Sequence, residues 1–192
     1  LKEFNTVGKL CIQYPWPSIA RTIWGDHSRY INTYFSAFEN KYFTGDGAFI
    51  DEDGNFRITG RVDDVIIVSG HNLGTAPIED AINEHEKVAE SAIVGFPHDI
   101  KGNALYGFIT LNQQYENLEQ IKKEINMLIS KKIGPIAKLD KIQITNGLPK
   151  TRSGKIMRRI LRKIASKEFN NLGDISTLLN PDVVKEIIDN SL

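Results

Sequence analysis

The chain has 192 residues, 41% of them hydrophobic and 25% charged, the make-up of a folded globular protein and not of a disordered tail or a fibre. Lys+Arg and Asp+Glu each number 24, so no net field draws the whole chain to nucleic acid or to a membrane surface. The longest apolar run, Val65-Ile66-Ile67-Val68, is far short of the roughly 20 residues that span a bilayer.

Predicted elements begin with a strand over Val7 to Gln13, stopped by Tyr14-Pro15-Trp16-Pro17 because proline cannot continue a ladder. The spacing of Tyr30, Tyr34 and Phe38 predicts a helix over Ser28 to Phe38. Gly47 to Ile50 and Asn55 to Thr59 read as two strands joined at Asp53-Gly54, a strong hairpin signal. Residues 1–62 offer little core of their own and are expected to be the edge of a larger domain. The opening Leu1-Lys2-Glu3-Phe4 has neither an initiator Met nor an apolar leader, so the chain is expected to be a piece of something longer.

From Asp63 or Asp64 onward the pattern becomes regular. Val65 to Val68 reads as a buried strand. Thr75 is expected to cap a helix with Pro77 in its first turn and Ile78, Ala81, Ile82 and His85 on one face. Ser91 to Gly95, Leu105 to Leu111 and Lys141 to Thr145 read as strands. Helices are expected over Leu118 to Ile133, with Leu118, Ile121, Ile125, Leu128 and Ile129 inward, over Ile156 to Lys167, and near Pro181 to Ile188. The implied class is α/β (α+β): residues 63–192 as a small domain, a mixed sheet covered by helices. One cysteine, Cys11, excludes an internal disulfide and suits a reducing, cytoplasmic compartment.

Four short stretches carry candidate chemistry. In Thr44-Gly45-Asp46-Gly47 a carboxylate between glycines can approach paired hydroxyls closely, although a turn aspartate bonding its own backbone looks the same. Arg61, in Gly60-Arg61-Val62-Asp63-Asp64, can meet a phosphate or merely pair with the aspartates beside it. Ser69-Gly70-His71-Asn72-Leu73-Gly74 reads as a loop before a helix, with amides to offer an anion, but it lacks dinucleotide spacing. Pro149-Lys150-Thr151-Arg152-Ser153-Gly154-Lys155 fails as a P-loop, since Ile156 stands where a Mg2+-binding hydroxyl belongs. Its plain reading is a solvated basic helix; its functional reading is one long cation placed to bridge developing negative charges.

Taken together, in order and at this spacing, these stretches resemble the adenylate-forming ligases, closest to those joining acetate to coenzyme A. Pro15 to Thr22, Gly25-Asp26-His27, Tyr42 to Gly47, Ile58 to Val65, Val68 to Thr75 and Leu148 to Lys163 all look like the carboxy-terminal third of such an enzyme. The resemblance implies two steps: acetate and ATP give acetyl-adenylate and pyrophosphate, and CoA then displaces AMP. It assigns Lys155 to catalysis, Asp46, Arg61 and Asn72 to ATP, and Ser69, Gly70 and Ser130 to CoA. Asp63 becomes the hinge about which the small domain turns, and Asn83, His85 and Val88 a divalent-cation site of two backbone carbonyls and a His, taken as Mg2+. Asn72 and Ser130 depart from the arginines usual there, which removes charge. The phosphate loop and acyl pocket belong to a larger amino-terminal domain of the family, so this stretch alone is expected to be inactive. Acetylation of Lys155 by a lysine acetyltransferase, reversed by a deacetylase, is expected to silence it.

Two other readings stay open. A related ligase for propionate differs only in a pocket this chain does not contain. A nucleic-acid module built on the basic residues from Lys150 to Lys167 meets a balanced overall charge and no flanking aromatic platform, so neither nucleic acid nor membrane is an expected partner.

Overall fold

The computed structural model describes residues 4–192; Leu1 to Glu3, on which the absence of a leader rests, lie outside them. The chain divides into two compact units, between Asp64 and Val65.

The first unit holds β1 (Val7–Ile12), α1 (His27–Tyr34), β2 (Tyr42–Ile50) and β3 (Phe56–Arg61), followed by a 3-10 turn over Val62–Asp64. The three strands form an antiparallel sheet with β2 in the middle. The Asp51 carboxylate tightens the β2–β3 hairpin by accepting the Asn55 amide at 2.8 Å. Asp26 caps α1 by accepting the Arg29 amide at 2.9 Å. The helix ends at Tyr34, short of the expected Phe38. The Ser36 hydroxyl bonds back to the Asn32 carbonyl, and Asn40 turns left-handed, two local alternatives to a continuing helix.

The second unit holds β4 (Ile66–Val68), β5 (His71–Leu73), α2 (Thr75–Asn83), β6 (Val88–His98), β7 (Gly102–Leu111), α3 (Leu118–Lys132), β8 (Lys141–Ile144), α4 (Arg158–Ala165) and α5 (Asp182–Asp189). Strand β7 is central: β6 lies antiparallel along its whole length, β8 runs parallel to Tyr106–Ile109, and β4 joins at Gly102. The sheet is therefore mixed. Helices cover both faces. Leu105 and Ile109 of β7 pack with Ile78, Ile82, Ile121, Ile125 and Ile129 of α2 and α3. Ala104, Tyr106 and Phe108 pack with Ile160, Leu161, Ile164 and Ile187 of α4 and α5. A strand buried on both sides needs apolar residues at successive positions, which is why Ala104 to Ile109 reads as an unbroken run. At Gly107 a Cβ would come within 2.6 Å of the Leu139 Cδ1, so glycine lets α3's following segment close onto the sheet.

Several expectations are corrected. Gly74, not Thr75, is the N-cap of α2; Thr75 is inside the helix, buried, and its hydroxyl makes no capping bond. His85 lies beyond the end of α2 and not on its inward face. Val65 and Ile67 face solvent while Ile66 and Val68 are buried, so β4 alternates where a wholly buried strand was expected. Leu118 is exposed at the mouth of α3. Helix α4 starts two residues late, because Ile156 is held in a bridge with Lys150 across the preceding loop. The stretch from Ser69 to Gly74 is no open loop: it contains β5, which doubles back on β4.

Candidate functional site

In the first unit the middle strand sets the geometry. The register of β2 with β3 pairs Asp46 with Arg61, and the guanidinium Nη1 lies 3.7 Å from the Asp46 Oδ1. Arg61 also donates from Nε to the Asp63 Oδ1 at 3.0 Å and from Nη1 to the Thr44 carbonyl at 3.1 Å. Partial desolvation works against its charge. The hydrogen bond and charge of Asp63, with Asp46 and Asp64 behind it, outweigh that and raise its pKa. Gly45 makes the arrangement possible: its φ is +82°, and a Cβ there would stand 2.6 Å from the Arg61 Nη1. Beside this cluster lies a hollow of about 480 Å3 bounded by Tyr34, Tyr42, Gly45, Arg61 and Asp63. The rings of Tyr34 and Tyr42 are stacked at 4.9 Å, and burial, then the charge of Tyr34, pushes the Tyr42 hydroxyl's pKa up. Stacked rings, one guanidinium and two carboxylates are groups to which a base, a phosphate and a ribose diol respectively can bind.

In the second unit Ser69, Gly70 and Asn72 share the β4–β5 hairpin. Val68 and His71 pair, leaving Ser69 (φ 47°) and Gly70 (φ 82°) as a two-residue turn with both residues left-handed. The turn is pinned by the Ser69 amide, which donates to the Lys101 carbonyl at 3.0 Å. It therefore sits at the His98–Gly102 end of the β6–β7 ribbon, exposed. Asn72 is exposed on β5, and Ser130 lies half-buried in the last turn of α3.

Lys155 occupies a different place. Residues 150–156 form a closed loop: Thr151 donates its amide to the Lys155 carbonyl at 2.9 Å, and Lys155 donates its own to the Thr151 Oγ1 at 3.1 Å. The Gly154 amide bonds to the Thr151 carbonyl, and Met157 to that of Pro149. The side chain of Lys150 pairs with Glu90, near the start of β6. Lys155 itself is exposed, and among the described residues no ion pair takes its ammonium. From Glu90 to His98 the strand runs about 26 Å, at roughly 3.3 Å per residue. The loop of Lys155 and the turn of Ser69–Gly70 thus stand at opposite ends of one ribbon.

Asn83, His85 and Val88 come together where α2 ends, and of the donors a divalent cation would use there the His85 ring is already engaged. The Nδ1 of His85 accepts the Lys87 amide at 3.3 Å, which leaves its Nε2 protonated toward the Glu124 carboxylate at 3.3 Å, so no ring lone pair is left. The Asn83 Oδ1 accepts the Ser91 hydroxyl at 2.8 Å, and the His85 carbonyl accepts the Val88 amide at 2.9 Å. The Lys87 ammonium, 3.3 Å from Glu124, already supplies a positive charge there.

The basic stretch of α4 is also engaged. Arg159 donates to the Leu172 carbonyl at 3.1 Å, Lys163 bonds to the Asn171 carbonyl, and Arg158 pairs with Glu79. These three cations bind the chain's own tail and interior, which thins the basic face that a nucleic-acid reading needs. Sequence reasoning missed Glu79 and Glu90. Their partners lie far along the chain, and no local spacing marks them.

Residues 77–155 match the family model described as the AMP-binding enzyme C-terminal domain. The chain is 55% identical over 190 residues to the acetyl-coenzyme A synthetase of Parvibaculum lavamentivorans, covering 99% of this chain and 29% of that protein. It is 59% identical over 186 residues to that of Marinobacter nauticus, covering 97% of this chain and 29% of the relative. The acetoacetyl-CoA synthetase structure from Streptomyces lividans shares the fold, with a TM-score of 0.81 and 22% identity over 97% of this chain and 28% of that one. The chain spans about 29% of the length of the curated relatives it matches. The family match thus covers residues 77–155, and over nearly its whole length the chain is similar to part of the acetyl-coenzyme A synthetases.

Proposed function

We propose that this chain is the hinge and mobile lobe of an acetate–CoA ligase that works in two steps. An acetate oxygen attacks the α-phosphorus of ATP and pyrophosphate leaves; the CoA thiolate then attacks the acetyl carbonyl and AMP leaves. Lys155 acts in the first step. An ammonium about 4 Å from a developing negative charge is worth about 4 kcal/mol at an effective dielectric near 20, enough to decide a rate. Asp46 takes the ribose hydroxyls, Arg61 the nucleotide, and Asn72 a weakened phosphate contact that hydrogen bonds without charge. Ser69 and Gly70 approach the pantetheine arm in the second step, and Ser130 is the further CoA-binding residue. Asp63, in the 3-10 turn that closes the first unit, is the pivot.

One observation carries this reading: the exposed Lys155 loop and the exposed Ser69–Gly70 turn are separated by most of the length of β6. Groups held near opposite ends of one ribbon, whose β6 strand runs about 26 Å between Glu90 and His98, cannot both serve one small reaction centre at once. They can serve it in turn if the lobe rotates between steps. The test is made in the complete enzyme. Lys155→Ala abolishes acetate-dependent ATP–pyrophosphate exchange and leaves thioester formation from supplied acetyl-adenylate intact. Parallel loss of both steps overturns the assignment.

A further inference from the structure

The buried pair of Glu79 and Arg158 lies between the two functional loops and belongs to neither. Glu79 is on α2, its side chain 9% exposed; Arg158 is the first residue of α4, its side chain 26% exposed. The two helices cover opposite faces of the sheet, and the pair meets around the edge of β6. Arg158 donates from Nη2 to the Glu79 Oε2 at 2.6 Å and from Nε to Oε1 at 3.2 Å, a two-pronged fork. The same Oε1 accepts the Ile93 amide of β6 at 2.8 Å. A carboxylate this buried is costly to desolvate, and packed apolar residues would stabilise an edge equally well. The fork does something that packing alone does not: it fixes the direction in which α4 leaves the sheet.

That direction matters because Arg158 follows Lys155 by three residues. The loop from Pro149 to Met157 is closed by its own hydrogen bonds, tied at Lys150 and Thr151 to Leu178 to Asn180 of the tail, and runs directly into α4. Its side-chain ties to the β6 edge are Lys150 to Glu90 at one end and Arg158 to Glu79 at the other. The Ser69–Gly70 turn depends on neither. It is held by its own hairpin, by the Ser69 amide on Lys101, and by the Asn103 side chain, which donates to the Ile67 carbonyl at 3.2 Å.

We propose that Glu79 is a positioning residue for the first step alone, aiming the Lys155 loop through Arg158. This rests on the assignment of Lys155 to adenylation made above. Reactive groups misplaced by about 1 Å lose about 100-fold in rate, so a loosened loop registers in kcat before it registers in binding.

The experiment measures both half-reactions in the complete enzyme. Glu79→Gln keeps an oxygen for the Ile93 amide and removes the charge that holds Arg158. The expected result is a fall of about 10- to 100-fold in kcat for ATP–pyrophosphate exchange, with KM for ATP and the supplied-adenylate reaction changed less than about threefold. Arg158→Lys, which keeps the charge and loses the fork, falls between Glu79→Gln and the parent. Equal loss in both half-reactions, loss in KM alone, or no loss overturns the proposal. If Glu79→Gln does not fold, the double variant Glu79→Met and Arg158→Met removes both charges together; full exchange by that folded protein also overturns it. Lys155→Ala that retains exchange defeats the assignment of Lys155 instead, whatever Glu79 does.

Discussion

Gly45→Ala separates the geometry around Arg61 from simple charge counting. The new Cβ would stand 2.6 to 2.8 Å from the Nη1, Nη2 and Cζ of Arg61, so the guanidinium must leave. Leaving breaks its bond to the Thr44 carbonyl and its approach to Asp46. Keeping a side chain at φ +82° adds about 1–2 kcal/mol of backbone strain. The lost guanidinium–carbonyl bond adds about 1 kcal/mol, and the Asp46 pair little, because its side chains are 48% and 32% exposed. The first unit should therefore lose about 2–3 kcal/mol of stability, short of unfolding an ordinary domain. The functional cost is separate. If Arg61 contacts the nucleotide, displacing it removes a charged hydrogen bond worth about 1.5–3 kcal/mol, or about 10- to 150-fold in KM for ATP. The assay is ATP–pyrophosphate exchange by the complete enzyme carrying Gly45→Ala, Arg61→Ala or both. In KM for ATP the double variant should match Arg61→Ala, since the added methyl reaches the nucleotide only through that side chain while its backbone strain bears on stability. A normal KM in Gly45→Ala, or effects that multiply in the double variant, refutes the reasoning.

Three further outcomes follow. The 192-residue chain by itself should show no acetate-dependent ATP–pyrophosphate exchange; any rate above background contradicts the division of labour proposed for it. Acetylation of Lys155 removes its charge, so the complete enzyme acetylated there should lose exchange and retain thioester formation from acetyl-adenylate; unchanged exchange counts against the role given to that amine. Hydrogen bonds from Gln120 and Lys87, and a further one from His85, hold the Glu124 carboxyl below its ordinary value of 4.5. A group depressed in the folded state adds stability above that value and loses it as the pH falls through the lower folded one. Glu124→Gln should accordingly flatten the drop in melting temperature below about pH 4.5, and an unaltered acid profile shows that the contact contributes nothing.

What could be read from the sequence follows the range of the interaction. Periodicity located α3 because its apolar pattern repeats over many residues, while apolar runs marked only the middle of β6 and most of β7, whose full lengths are Val88–His98 and Gly102–Leu111. The hairpin at Asp53-Gly54 was legible because its chemistry is contained in the turn. Strand β5 was not, since His71-Asn72-Leu73 is short, and only the left-handed Ser69 and Gly70 fold it back on β4. The start of α4 was misjudged for a similar reason: Ile156 fits the helical stripe, yet its bridge to Lys150 claims it first. Asp46, Arg61 and Lys155 stood out as residues in dense, glycine-flanked motifs. Glu79 did not, because its meaning comes from Arg158 and Ile93, brought to it by the sheet.

The two loops also differ in how they are held, and the difference suits their proposed tasks. At Ser69–Gly70 the useful surface is backbone, and a close approach to it requires only that no Cβ stand in the way; nothing lies within 4 Å of a Cβ built at Gly70. Ladder pairing to β4 and one amide to Lys101 are enough to present such a surface. At Lys155 the useful atom ends a flexible side chain, and flexibility in the loop beneath would add to flexibility in the chain itself. Rigidity must then come from elsewhere, and the closed Thr151–Lys155 turn with the Glu90 and Glu79 ties supplies it. A lobe that swings needs its cargo fixed to it, because every degree of freedom between pivot and reacting atom is one that rotation cannot control.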